Sequence, residues 1–198
     1  MQLRKQINCI LFVCVELVVT NWPARKIFLK GVDNFIFIWY TLYVRRKVKE
    51  LPKTMTIWFD MDGTIADFYS VDNWLSHLQN EETYPYDVAK PLINFSLFAR
   101  LIHRLQNVGF EFGIISWTSK CGSEIFNEQI AISKLKWLNR HLPSVEWNTI
   151  KIVPYGTNKY EECDGGILFD DEIGNREIWG KNAFEPQLII EKMKELLG

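Results

Sequence analysis

An α/β fold built on a parallel sheet is predicted by three observations. Short runs of bulky apolar residues each end in polar ones: Ile57-Trp58-Phe59 in Asp60, Gly113-Ile114-Ile115 in Ser116, and Ile167-Leu168-Phe169 in Asp170-Asp171. Long stretches with helical periodicity separate these runs, and strand–helix–strand units give parallel pairs with a right-handed crossover. The chain has 198 residues, 47% of them hydrophobic and 14% aromatic, enough for a buried core and too apolar for a disordered protein.

The first 54 residues are a different kind of sequence from the rest. They carry ten Lys/Arg against three Asp/Glu, whereas the remainder carries 13 against 21. Met1–Gln6 is basic and Ile7–Val19 apolar, the order of a signal peptide. Glu16 interrupts that apolar run, however, and no small-residue cleavage site follows. Neither Ile7–Val19 nor Phe35–Val44 reaches the roughly 20 apolar residues of a membrane span. Residues 45–53 read as a basic linker. Residues 1–54 are therefore expected to be an extension upstream of a working protein that starts at Met55; membrane association through them is the less favoured reading. Cys9, Cys14, Cys121 and Cys163 form no C-x-x-C pair, which argues against a zinc site or disulfide framework and for a cytoplasmic setting.

From Met55 onward the elements follow in order. Ile57–Phe59 reads as a buried strand and Asp62-Gly63-Thr64 as the turn that ends it, with Gly63 free to take backbone angles other residues resist. Val71–Leu78 is expected to be helical, and Pro85 and Pro91 to break the chain. Phe95–Val108 repeats apolar residues at three- and four-residue spacing and stops at Gly109. A second strand covers Phe110–Ser116. A long helix spans Glu124–Leu142, with Ile130, Leu135, Leu138 and Leu142 among its apolar positions. Thr149–Val153 is a third strand, Gly156–Lys159 a loop and Ile167–Phe169 a fourth strand. Asn175–Trp179 and Pro186–Leu197 are closing helices, Pro186 suiting a first turn.

Three strand ends thus carry Asp60/Asp62, Ser116 and Asp170/Asp171. Open α/β sheets bind ligands at such ends. Paired carboxylates there repel each other unless a cation lies between them. The pattern points to a metal-dependent site that handles phosphate. The acidic balance of residues 55–198 lacks the basic footprint of nucleic-acid binding.

These motifs resemble the haloacid dehalogenase (HAD) superfamily of phosphohydrolases. Asp60–Thr64 matches the Asp-x-Asp-Gly-Thr motif, Gly113–Ser116 the second motif, Lys159 the lysine ahead of the last core strand, and Ile167–Asp171 the acidic fourth motif. The resemblance runs from Met55 to the C-terminus and covers none of the first 54 residues. Asp60-Met61-Asp62-Gly63 followed by Ala66-Asp67-Phe68 is similar, more narrowly, to the 5′(3′)-deoxyribonucleotidase branch with its bacterial and phage relatives. The chain departs from that branch in leaving only about 45 residues between Thr64 and the second strand, which implies a small helical cap within about residues 67–94.

The resemblance implies a Rossmann-like three-layer α/β/α domain over residues 55–198 and an Mg²⁺-dependent phosphomonoesterase. Asp60 would be the nucleophile and Asp62 the general acid and base. Asp60, Asp62 through its main-chain carbonyl, Asp170 and Asp171 would serve the metal. Thr64, Ser116 and Lys159 would bind the phosphoryl group, with Lys151 and Lys120 as competitors for the lysine role. A nucleoside monophosphate is the expected substrate. A phosphatase for sugar phosphates or other small metabolites, a phosphotransferase, a nucleic-acid end-phosphatase and a HAD-fold binding protein with little turnover are the alternatives. Phe68, Tyr69 and Trp74 are expected to pack rather than stack on a base. His77, His103 and His141 are expected to be structural or exposed, and Asn175 to cap the loop after Asp171.

Overall fold

The computed structural model describes residues 55–198; the expectations for residues 1–54 lie outside the described residues. Five parallel strands form the central sheet in the order β5 (Thr149–Val153), β4 (Glu111–Trp117), β1 (Thr56–Phe59), β6 (Ile167–Phe169), β7 (Ala183–Phe184). The chain builds outward from β1 in one direction to β4 and β5, then in the other to β6 and β7. Such a reversal opens a crevice at the carboxyl ends of the central strands, and Asp60 stands at that end of β1.

Alternation along the strands assigns the two faces. Ile57, Phe59, Phe112, Ile114, Ile167 and Phe169 join the larger core cluster, together with residues of α3 (Phe95–Asn107), α4 (Glu124–His141) and α7 (Ile189–Glu195). Trp58, Ile115 and Leu168 face the other way, against Cys163 beside α5 (Lys159–Glu162) and Trp179 of α6 (Ile173–Trp179). The result is a three-layer α/β/α domain. Phe59 stacks between Phe112 and Phe169 at 6.3 and 5.3 Å, with ring planes 5° and 9° apart. This ladder crosses the three strands, with Phe59 and Phe169 directly before the polar ends of β1 and β6 and Phe112 at the start of β4. On the opposite face Trp58 lies over Gly113, where an added Cβ would come within 2.4 Å of the indole ring.

The insert after β1 is small. β2 (Ala66–Asp67) and β3 (Lys90–Pro91) pair antiparallel at its root. Between them lie α1 (Trp74–Gln79) and α2 (Tyr84–Val88). The expected helix over Val71–Leu78 begins only at Trp74, because Asn73 takes a left-handed conformation, φ 55°. Pro85 does not break the chain but sits in the first turn of α2, where its missing N–H costs nothing. Phe68 and Tyr86 pack on Phe126 and Ile130 in the first half of α4, with Trp74 and Leu78 at the edge of this cluster. Trp137, in the second half of α4, donates from Nε1 to the Ala89 carbonyl at 2.7 Å. One helix therefore backs both the insert and the sheet.

Two details of α4 differ from expectation. Leu135 is exposed, at 45% of its free surface, because it falls off the stripe Phe126, Ile130, Lys134, Trp137, Leu138 that faces inward. Lys134 lies on that stripe and is 1% exposed. The strand β7 and the β2/β3 pair, each strand only two residues long, were not anticipated. Among the described residues, no helix is long and apolar enough to cross a membrane.

Candidate active site

The turn after β1 fixes the first two carboxylates. The Met61 carbonyl accepts from the N–H groups of Thr64, Ile65 and Ala66, while the Gly63 N–H donates to the Ala66 carbonyl. Gly63 sits at φ 74°, and a Cβ there would meet Asp171 Oδ2 at 2.5 Å and Tyr69 Cε2 at 2.6 Å. Only glycine fits a left-handed position so crowded. The Asp60 N–H donates to the Phe169 carbonyl at 2.9 Å, tying the ends of β1 and β6 together.

Two buried lysines organise the site. Lys159, the first residue of α5, places Nζ 2.8 Å from Asp60 Oδ1 and 2.7 Å from Asp170 Oδ2. Asn158 caps that helix by accepting from the Tyr160 N–H, which fixes where Lys159 starts. Burial alone would lower the Lys159 ammonium, but Asp60 and Asp170 outweigh it and push it up to about 12. The face of the Trp117 ring lies 4.8 Å from the same Nζ. Lys134 donates to Asp62 Oδ2 at 2.7 Å, to Ser116 Oγ at 2.8 Å and to the Trp117 carbonyl at 2.7 Å. Each lysine thus joins a carboxylate of the first motif to a neighbouring strand end.

Of the expected residues, the structure brings Asp60, Asp62, Ser116, Lys159, Asp170 and Asp171 to one edge of the sheet. The lysine that reaches this edge from the β5–β6 connection is Lys159. Lys151 is partly exposed and lies beside Glu162, and Lys120 is exposed over the Tyr155 ring. Thr64, expected to bind the phosphoryl group, has its hydroxyl engaged within the protein. Its hydroxyl donates to Asp171 Oδ1 at 3.3 Å and accepts from the Asp171 N–H at 3.1 Å, while its own N–H donates to Met61. Fully buried, with both donors engaged, Thr64 pins the first turn to the fourth strand. Asn175 reaches Asp170 itself, donating from Nδ2 to both carboxylate oxygens at 3.2 Å. The Glu172 N–H donates to Asp170 Oδ1 at 2.9 Å.

Lys134 was missed by sequence reasoning. The signal was its helical spacing: it falls four residues after Ile130 and three before Trp137, on the apolar stripe of an otherwise mixed helix. The three histidines stay away from the site. His77 contacts Glu82, His103 the Ser144 carbonyl, and His141 packs on Trp137. Phe68 is buried in the insert cluster, and Trp74 packs at its edge. Tyr69 is the exception among the aromatics: 46% exposed, it stands at the mouth against Gly63. Burial and then the charges of Asp171, Asp62 and Asp60 raise its hydroxyl.

Electrostatics show what the site lacks. Four carboxylates meet two ammonium groups, and the Arg176 guanidinium donates to the main-chain carbonyls of Asp170 and Asp171 at 2.8 and 2.6 Å, so the carboxylates still outnumber the cations around them. Burial first, then Asp60, pushes Asp170 up to about 6. Burial, Asp60 and Asp170 push Asp171 up to about 7. Asp62 is raised by burial, against the pull of Lys134 and with the repulsion of Asp60. An excess of hard oxygen donors of this kind fits a divalent cation such as Mg²⁺. Among the described residues, no three His, Cys, Asp or Glu side chains already form a metal cage. Mg²⁺ keeps several of its waters and needs fewer protein ligands than that.

No protein-family model matches the chain, and no curated protein matches it. Among solved structures it is similar to a D,D-heptose 1,7-bisphosphate phosphatase from Burkholderia thailandensis, with a TM-score of 0.46 and 13% identity. That match covers 73% of this chain and 99% of the other.

Proposed function

We propose that the chain is an Mg²⁺-dependent phosphomonoesterase of the HAD type, working through an aspartyl-phosphate on Asp60, with nucleoside monophosphates as its substrates. The observation that carries this reading is the arrangement at β1: a nucleophile-type carboxylate held by a buried lysine, with a second carboxylate two residues on. Lys159 engages Oδ1 of Asp60, and Oδ2 would be the oxygen that attacks phosphorus. The Asp60–phosphorus bond forms as the bond to the leaving oxygen breaks. Asp62 gives that oxygen its proton, then takes one from the water that hydrolyses the acyl phosphate. Its raised pKa suits the first of these tasks. Ser116 and Lys159 would supply donors for the equatorial oxygens, while Lys134, its three protons taken by Asp62, Ser116 and the Trp117 carbonyl, holds Asp62 and Ser116 in place.

Asp60, Asp170 and the Asp62 carbonyl would hold Mg²⁺, with Asp171 reaching it through water. The ion's charge would let an anionic nucleophile approach an anionic phosphate. The nucleotide preference rests on the resemblance of Asp60–Phe68 to the deoxyribonucleotidase branch.

The test is phosphate release from a panel of nucleoside and sugar monophosphates, with Mg²⁺ or with EDTA. Turnover of nucleotides that needs Mg²⁺ and falls at least about a thousand-fold in Asp60→Asn is expected. Activity that survives in that variant or in EDTA would overturn the mechanism. A preference for sugar phosphates would leave the phosphatase and remove the nucleotidase.

A further inference from the structure

We propose that Glu81 and Ser123 form a catch that fastens the tip of the insert to the start of α4 and so positions Tyr69 at the mouth of the site. Glu81 Oε1 accepts from the Ser123 N–H at 2.7 Å, and Oε2 from the Ser123 hydroxyl at 2.9 Å. The Ser123 hydroxyl also accepts from the Phe126 N–H at 3.2 Å, the capping bond of α4. A glutamate that receives the N-cap residue's own N–H is the reciprocal half of a capping box. Here that half comes from a different element, 42 residues earlier in the chain.

Among the described residues, these two hydrogen bonds tie the tip to α4, beside the packing of Trp74 and Leu78 on the insert cluster. No residue of α1 is buried, and the helix is bracketed by two non-glycine residues at φ 55°, Asn73 and Glu81. Asparagine tolerates that conformation; glutamate adopts it at a cost. The root of the insert, by contrast, is packed through Phe68 and Tyr86. The tip is therefore a short strained helix on a firm base, held down at its far end by one carboxylate.

The catch is connected to the chemistry at both of its ends. Trp74, the first residue of α1, packs edge-on against Tyr69 at 5.1 Å, and Tyr69 lies against the Gly63 turn beside Asp171. On the other side, Ser123 starts the helix that carries Lys134 to Asp62 and Ser116. Glu81 is a positioning residue: it touches no reacting atom and acts through Tyr69.

Two variants of the full chain isolate the catch. Glu81→Gly removes the carboxylate and relieves the left-handed strain together. Ser123→Asp keeps an N-cap acceptor for α4 but sets a second carboxylate against Glu81. Amide hydrogen exchange reads fastening directly. Exchange over residues 73–82 is expected to quicken about five- to ten-fold in both variants, with β1 and α3 unchanged. The KM for p-nitrophenyl phosphate with Mg²⁺ is expected to rise by a similar factor, with kcat within about two-fold. Unchanged exchange in both variants overturns the proposal. Faster exchange with an unchanged KM overturns it too, since the tip would then position nothing. The kinetic arm rests on the phosphatase reading and the exchange arm does not; a wild-type chain inert toward every phosphate ester defeats that reading, while exchange still decides whether the catch exists.

Discussion

Lys134 meets Asp62 across 72 residues of sequence, its ammonium 2.7 Å from Oδ2. The lysine is 1% exposed and shares its protons with Ser116 and the end of β4. With all three protons engaged, it is the counterion of Asp62 and a brace for the end of β4. Removing it leaves a partly buried carboxylate, 19% exposed at its side chain, without its partner; for fully buried pairs the cost is about 3–5 kcal/mol, and here it should be smaller. Lys134→Met is expected to lower the melting temperature sharply and to abolish turnover. In Lys134→Met/Asp62→Asn most of the lost stability should return, with no return of activity. Thermal unfolding of the four proteins of this cycle checks it; additive losses would show that the two groups are not coupled.

Lys159 should respond differently, because its removal leaves two carboxylates facing each other. Lys159→Ala is expected to destabilise the protein most in EDTA, with Mg²⁺ recovering part of the loss. Activity should stay at least about a hundred-fold down, since the ion replaces the charge but not the aimed donor. Melting curves with and without Mg²⁺, together with phosphate release, read both effects. Equal destabilisation in the two conditions would contradict the shared-carboxylate picture.

The raised carboxylates set a direction for pH. Asp170 and Asp171 move from an ordinary 3.8 to about 6 and about 7 in the folded protein. A folded-state pKa above the unfolded one gives stability that is complete below 3.8 and lost as pH rises through 6 to 7. Metal-free protein should therefore melt at a higher temperature at pH 5.5 than at pH 8. Saturating Mg²⁺ should raise the melting temperature more at pH 8 than at pH 5.5. Differential scanning fluorimetry across that range is sufficient, and a metal effect that grows on acidification would refute the assignment.

Gly63 tests the turn. Gly63→Ala combines a positive φ with a Cβ 2.5 Å from Asp171 Oδ2, so a loss of at least about 2 kcal/mol is expected. The loss should exceed that of Gly109→Ala, where φ is also positive but nothing lies within 4 Å. Chemical denaturation of both variants separates backbone strain from steric conflict; equal losses would show that crowding by Asp171 and Tyr69 is unimportant.

What could be read in advance was local in origin. Asp60 and Asp170 each follow an apolar run at once, and Asp62 and Asp171 lie within two residues of them, so the strand announces the carboxylates. Ser116 and Lys159 gained their meaning from order along the chain. Lys134 had no such neighbour: it lies in a helix that carries a second lysine two residues on, Lys136, and shows up only once the inward stripe is drawn. Leu135 was misplaced for the same reason, since hydrophobicity alone says nothing about which way a helical residue points. Strands of two residues, such as Ala183–Phe184, carry too little periodicity to be seen. The contact of the Thr64 hydroxyl with Asp171 could not be read in advance, because the two lie 107 residues apart.

The central place of β1 also bears on how the protein acquires its shape. Its two neighbours begin at Glu111 and Ile167, so the earliest strand of the described residues waits for the rest of the sheet to be synthesised before its backbone is paired. Contacts of such long sequence separation slow folding. A growing chain would expose the run Ile57–Phe59 throughout that interval, and a polypeptide halted before β6 would carry an unpaired, sticky edge where the finished protein gathers its carboxylates. Synthesis, while that edge is bare, is then a stage at which the chain is open to mispairing.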